Sequence, residues 1–275
     1  MADGDASECG ELVFLARILV LATLPYRDPG DCHYVRRNGD LTLTLQAPPQ
    51  IGLPYGRYPR LVLAYLCREA VRTRSREIHL GGSLSDFMRE VGVHTSGGPR
   101  GTLRRFRMQA ARLLATTISC SWSGKLAGVA GHAEVGARIA SRSVLWWACC
   151  RAERPPAVVD GGRLVLSQEF YEELLAHPVP LDRRVLRALT SSFAFDLYAW
   201  TTYRVSRLRR PVAIPWPELA CQFGSRERAL RNFRLKVRRG LETIRVFYPR
   251  LRFEVKPEAL WLYPSRCHVL PRRGR

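Results

Sequence analysis

The sequence predicts an α+β fold of two tandem winged-helix domains, helix-turn-helix variants with small β-hairpins. Three observations carry that expectation. One order of elements (helix, short strand, short helix, glycine turn, basic helix, hairpin) can be traced twice along the 275 residues. The two passes match at particular places: Ile78 and Leu80 with Val212 and Ile214, Leu84 with Leu219, and "RRFR" at 104–107 with "RNFR" at 231–234. Hydrophobic residues make up 46% of the chain, enough for two cores. The boundaries that follow are an N-terminal extension with a β-hairpin (1–54), a first winged helix (55–152), a connecting segment (153–178), a second winged helix (179–268) and a basic tail (269–275).

Each element has a local reason. The apolar run "LVFLARILVLATL" contains Arg17 and is too short to span a bilayer; the acidic residues before it have the wrong sign for a signal peptide. In "YVRRNGDLTLTL", Asn38-Gly39 lies between two β-prone runs, and Leu41, Leu43 and Leu45 alternate with threonines, which predicts a hairpin with a type I′ turn. Leu61, Ala64, Tyr65, Ala70 and Val71 recur at helical spacing over 58–74. "REIHL" reads as a short strand, and Ser83 with Asp86 resembles a capping box for a short helix stopped by Gly92. After the turn "HTSGGPRG" comes a basic helix with Leu103, Phe106, Ala110, Leu113 and Leu114 on one face and Arg100, Arg104, Arg105, Arg107 and Arg112 over much of the rest. "ISCSWSG" and "SRSVLWWACC" read as two strands around a polar excursion.

The second pass opens with two helices, "LDRRVLRALT" and "SFAFDLYAWTTYRV", started by Asp182 and Ser192. "VAI" is a strand, and "PWPELACQF" a short helix with Pro217 in its first turn and Gly224 after its end. Ser225 is placed to cap a basic helix from Arg226 to Val246, and "LRFEVKPEALWLYP" forms a hairpin turning at Lys256-Pro257.

Charge points to the partner. Lysine and arginine number 44 against 24 acidic residues, a net charge of +20 with pI near 10.5, and the natural partner of such a chain is a polyanion, nucleic acid first. Only Lys125, Lys236 and Lys256 are lysines, a skew that codon usage can also produce. In the second basic helix Leu230, Phe233, Val237, Leu241 and Ile244 form one stripe, and Arg228, Arg231, Arg234, Arg238, Arg239 and Arg245 fall mostly opposite. A solvated face is the plain alternative. The position after a short helix and a glycine turn, with only Glu227 and Glu242 as offsets, favours DNA instead. Arginine suits this use because its fork binds guanine O6 and N7 or clamps phosphate. Arg226, Arg228 and Arg231 are expected near base edges, and Arg234 and Arg238 on the backbone. Arg104, Arg105 and Arg107 are weaker candidates, since one copy of a tandem pair can serve dimerisation. Lys256 at the wing tip is a phosphate candidate. Trp146, Trp147, Trp200, Trp216 and Trp261 sit within strand or helix patterns and read as core rather than stacking platforms.

Catalytic and cofactor signatures are missing. There is no G-x-x-x-x-G-K-[ST], H-E-x-x-H or G-x-S-x-G, no histidine pair spaced for a metal-dependent nickase, and no C-x-x-C among Cys9, Cys32, Cys67, Cys120, Cys149, Cys150, Cys221 and Cys267. The expectation is a non-enzymatic protein without cofactor or metal, its thiols reduced in the cytoplasm.

Beyond these readings, the chain resembles plasmid-encoded RepA replication initiators. The resemblance is carried by "LPYRDP", "GLPYGRYPRLVLAYLCREAVRTRSREIHLGGSLSDFMREVGV", "GGPRGTLRRFRMQAARLL", the "LWW" strand and "FAFDLYAWTTYR" with "IPWPELACQFG". It implies a bacterial protein that binds repeated double-stranded DNA sites at a plasmid origin and recruits host replication proteins such as helicase; by likeness to better-known initiators with tandem winged helices, one domain is expected to read DNA while the other forms a homodimer and shares DNA contact. A transcriptional autorepressor of the same fold is the alternative, and a recombinase or nickase a more distant one.

Overall fold

The computed structural model describes residues 11–98, 101–126, 129–144 and 162–269. Arg100, the Trp146–Trp147 part of the expected strand, Cys9, Cys149, Cys150 and the tail from 270 onward lie outside the described residues. The apolar N-terminal run divides into strand β1 (Leu12–Ala16) and the short helix α1 (Arg17–Leu21). Strands β2 (His33–Asn38) and β3 (Leu41–Gln46) form the expected hairpin, but Asn38 pairs with Leu41 and the loop is Gly39-Asp40. Only Gly39 has positive φ (57°), which fits a type II′ turn, with glycine at the first central position, rather than type I′.

Helix α2 (Arg57–Thr73) buries Leu61, Leu63, Leu66 and Ala70 and ends at left-handed Arg74. It is followed by strand β4 (Glu77–His79) and helix α3 (Leu84–Val91). The Ser83 hydroxyl oxygen accepts from the Asp86 amide at 3.1 Å, and left-handed Gly92 closes the helix. Helix α4 (Thr102–Ala115) packs through Phe106, Ala110, Leu113 and Leu114.

The next strands differ from expectation. Strand β5 (Thr117–Leu126) pairs with β6 (Val129–Arg138) and also with β3, making a four-stranded antiparallel sheet in the order β2-β3-β5-β6. The run read as a polar excursion is thus a strand; its small residues alternate too faintly in hydrophobicity to be seen. Strand β7 (Ala140–Val144) pairs instead with β8 (Arg163–Leu166), and β8 lies between β7 and β4.

Helix α5 (Gln168–Ala176), strand β9 (Pro178–Asp182) and helix α6 (Arg183–Ala188) lead to the second pass. The Asp182 side chain accepts from the Arg184 amide at 2.8 Å and opens α6, whereas Ser191, not Ser192, caps helix α7 (Ser192–Val205). Then come strand β10 (Val212–Pro215), helix α8 (Trp216–Gln222), helix α9 (Leu230–Phe247) and strands β11 (Phe253–Val255) and β12 (Ala259–Leu262). Their sheet has the order β10-β12-β11, matching β4-β8-β7: in both passes the short early strand lies beside the last one. Phe106 of "RRFR" and Phe233 of "RNFR" are both fully buried.

One hydrophobic core runs through both passes. Strand β1 pairs antiparallel with β9. Helices α2 and α7 are joined by a buried ion pair in which Arg60 Nε and Nη2 each donate to a carboxylate oxygen of Asp196 at 2.7 Å. Arg60 also donates to the carbonyls of Leu24, Pro25 and Gly56, so its buried charge is fully satisfied. No helix among the described residues is long and apolar enough to cross a membrane. Burial pushes the Cys67 and Cys120 thiols up to about 12, as suits small core side chains.

Candidate nucleic-acid interface

Helix α9 buries Phe233, Val237, Gly240, Leu241 and Ile244. Phe233 meets Phe193 of α7 edge-on at 6.2 Å, and Gly240 allows the close approach, since a Cβ there would come within 2.7 Å of Leu197. Leu230, expected in this stripe, is 48% exposed. It is the helix's first residue, with helical neighbours on one side only.

Opposite the stripe, Arg231, Arg238, Arg239 and Arg245 are exposed, together with Leu235. At a rise of about 1.5 Å per residue, Arg231 and Arg245 are roughly 21 Å apart along the axis. The two acidic offsets are used locally: Glu227 pairs with Lys236 at 3.7 Å and Glu242 with Arg245 at 2.5 Å. Among the described residues no carboxylate pairs with Arg228, Arg231, Arg238 or Arg239.

The helix starts later than expected. Arg226 and Arg228 lie in the exposed turn before it, and α9 has no side-chain cap; the Ser225 hydroxyl instead accepts from the Glu227 amide at 3.2 Å. Two other candidates are engaged. Arg234 is half-buried and donates to the Pro257 carbonyl at 3.2 Å, tying the β11–β12 turn to the helix. Lys256, in that turn, lies 3.4 Å from Glu254 and 4.8 Å from the Trp261 ring centroid. Trp200 and Trp216 are buried, as expected of core residues.

On α4, Arg104 and Arg105 are exposed and Arg107 is half-buried. Arg112 is committed to the fold: it pairs with Asp28 at 3.1 Å, donates to the Leu53 carbonyl at 3.3 Å and lies over the Tyr55 ring. The two basic helices therefore form two separate sets of exposed arginines.

The structure adds Arg36, on β2. There Val35 is 42% exposed while Arg36, next to it, is only 5% exposed. A charged residue facing inward beside an outward valine inverts the usual strand pattern, and that inversion is the signal in "HYVRRN" that could have flagged it. Arg36 shares a cavity of about 190 Å³ with Arg226 and Lys236. Among the described residues no group of three or more His, Cys, Asp or Glu is arranged to hold a metal ion.

The profile of the family described as plasmid encoded RepA protein matches residues 53–216. No curated protein matches the chain by sequence. A crystal structure of selenomethionine derivatives of domains 2 and 3 of RctB is similar with a TM-score of 0.56 and 17% identity, over 93% of this chain and 97% of that one. A second crystal structure of RctB domains 2–3 is similar with a TM-score of 0.52 and 16% identity, over 89% and 94% of the two chains. At such identities the likeness is one of fold.

Proposed function

The chain belongs to the family of plasmid encoded RepA proteins, and from that premise we propose that it is a plasmid replication initiator that binds repeated duplex DNA sites at its origin. The observation that carries DNA binding is the row of exposed arginines on α9, of which Arg231, Arg238 and Arg239 lack carboxylate partners among the described residues while Arg245 pairs with Glu242. A guanidinium row of that length on a protein of net charge +20 suits phosphates and base edges.

The repeated sheet orders β4-β8-β7 and β10-β12-β11 support two winged helices, with α4 and α9 as their third helices. On this reading the first runs from α2 through β8 and the second from α7 through β12, with α5, β9 and α6 between them. Arg226 and Arg228, in the turn ahead of α9, approach base edges together with Arg231, and Arg238 holds the backbone. Arg234 acts by fixing the wing to the helix. Arg104, Arg105 and Arg107 give the first unit a weaker DNA contact and leave it available for a homodimer. The protein acts in the bacterial cytoplasm without catalysing a reaction, and host helicase and polymerase are recruited to the bound origin.

An autorepressor would use the same surface, so DNA binding alone does not separate the two readings; an origin-dependent replication assay does. The first test is footprinting of the purified chain on DNA flanking its own gene, at about 150 mM salt with competitor. Evenly spaced protected repeats are the expected result. Uniform or absent protection overturns the proposal.

A further inference from the structure

We propose that the cavity between strand β2 and the turn that opens α9 binds a single phosphate group, gripped by Arg36 with Arg226 and Lys236 at its rim. The proposal rests on the DNA-binding reading only for where that phosphate comes from.

Arg36 is 5% exposed, yet among the described residues it has no carboxylate partner and no hydrogen-bond acceptor, and its Nε is buried without any partner. The one buried carboxylate nearby, Asp196, is already held by both forks of Arg60. Asp196 thus pairs with Arg60 and reaches Arg36 only through space, and a buried charge without a directly paired counterion is costly. The Arg36 guanidinium is instead flanked by aromatic rings, 5.1 Å from the Tyr34 centroid and 5.9 Å from that of Tyr26. Cation–π contacts orient it but supply no anion.

The turn is shaped around this side chain. Gly224 has φ of 52°, and a Cβ added there would overlap the Arg36 guanidinium. The exposed rim adds Arg226 and Lys236, against the single carboxylate of Glu227. About 190 Å³ accommodates one phosphate with its bridging waters, at about 30 Å³ for each water. A DNA backbone lying along α9 would present such a group at the start of the helix, and free inorganic phosphate offers the same chemistry.

The test uses the full chain and two probes. The first is inorganic phosphate without DNA, compared with chloride at equal ionic strength by thermal unfolding. With phosphate about tenfold above its Kd, the wild-type Tm should rise by roughly 3 °C. Arg36→Met should melt no lower than wild type in chloride, because it removes an unpaired buried charge, and should lose the phosphate shift. An equal shift in chloride, or the same phosphate shift in the variant, overturns the pocket. Arg226→Ala, on the surface, should reduce the shift and guards against a folding defect in the Arg36 variant.

The second probe is the footprinted duplex carrying single methylphosphonates. A backbone source predicts one position at which wild type loses roughly tenfold in affinity and Arg36→Met loses none. A phosphate shift with no such position assigns the pocket to free phosphate and overturns the backbone source. A chain that binds no DNA but keeps the phosphate shift retains the pocket while the initiator reading fails.

Discussion

Helices α4 and α9 hold the same place in the two passes of the chain and carry the same R-x-F-R core, but they use their arginines differently. Along α9 the side opposite the core stays open from Arg231 to Arg245. On α4 the exposed arginines are confined to the first turns, because Asp28, Leu53 and Tyr55, which precede α2, cover the second half and engage Arg112. The equivalence of position therefore does not make two equivalent surfaces. What lies over each helix decides how much of its charge is left for a partner.

The comparison would be broken most forcefully by removing the joint on which both passes hang. Arg60→Ala leaves Asp196 as a buried, unpaired carboxylate and should cost about 3–5 kcal/mol in denaturant unfolding. Replacing both partners with apolar residues of similar volume should recover most of that. Next in size, Arg228→Ala with Arg231→Ala and Arg238→Ala should lower affinity for the protected DNA site roughly 100-fold or more at about 150 mM salt, with the salt slope falling by about 1 per lost phosphate contact. Arg104→Ala with Arg105→Ala should cost less than about tenfold. Equal losses in a titration would show that the two helices read DNA alike. Within the triple set, Arg228→Ala alone should relax base preference at one position by about 1–3 kcal/mol.

Arg112→Ala sharpens the contrast from the other side: it should lower unfolding free energy by about 1–2 kcal/mol and leave DNA affinity unchanged. A smaller effect concerns pH in the second pass. His268 Nδ1 is hydrogen-bonded with the Tyr198 hydroxyl at 2.8 Å and its ring stacks on Tyr248, and burial holds its pKa below the ordinary histidine value. The unfolded chain then binds the proton more readily. Stability from this site is complete above about pH 6.5 and is lost as pH falls through the unfolded pKa. The urea midpoint should drop between about pH 7 and pH 5.5, and His268→Gln should flatten that limb. Smallest of all, Lys256→Ala should change stability by less than about 0.5 kcal/mol and affinity by less than about threefold, because the side chain is paired with Glu254 at the surface.

Much of this was legible in the sequence. The capped short helix after Ser83, the matching positions of Phe106 and Phe233 and the hairpin that turns at Lys256 rest on local rules of capping, spacing and turn chemistry. Long-range pairing was not legible. Nothing local in "RLVL" says that residues 163–166 lie between β4 and β7, and nothing in the small residues after Leu126 announces the strand β6. The site followed the same division. The exposed arginines of α9 follow from helical spacing, whereas the start of the helix at Leu230 depends on how the turn after Gly224 packs. Arg36 is not legible in this way, because the residues around it, Tyr26, Gly224 and Arg226, come from three distant stretches. Its one local trace is a charge at an inward strand position.

The pairing of β1 with β9 has a consequence for synthesis. Leu12–Ala16 leaves the ribosome early, but its partner Pro178–Asp182 emerges only after the whole first pass. Until then the strand's edge and the face of α2 against which β1 packs have no lasting cover, which makes this the interval most open to misassociation. A fragment beginning at α2 would leave that face bare permanently, so a shortened chain meant to isolate the first pass needs both strands to stay soluble.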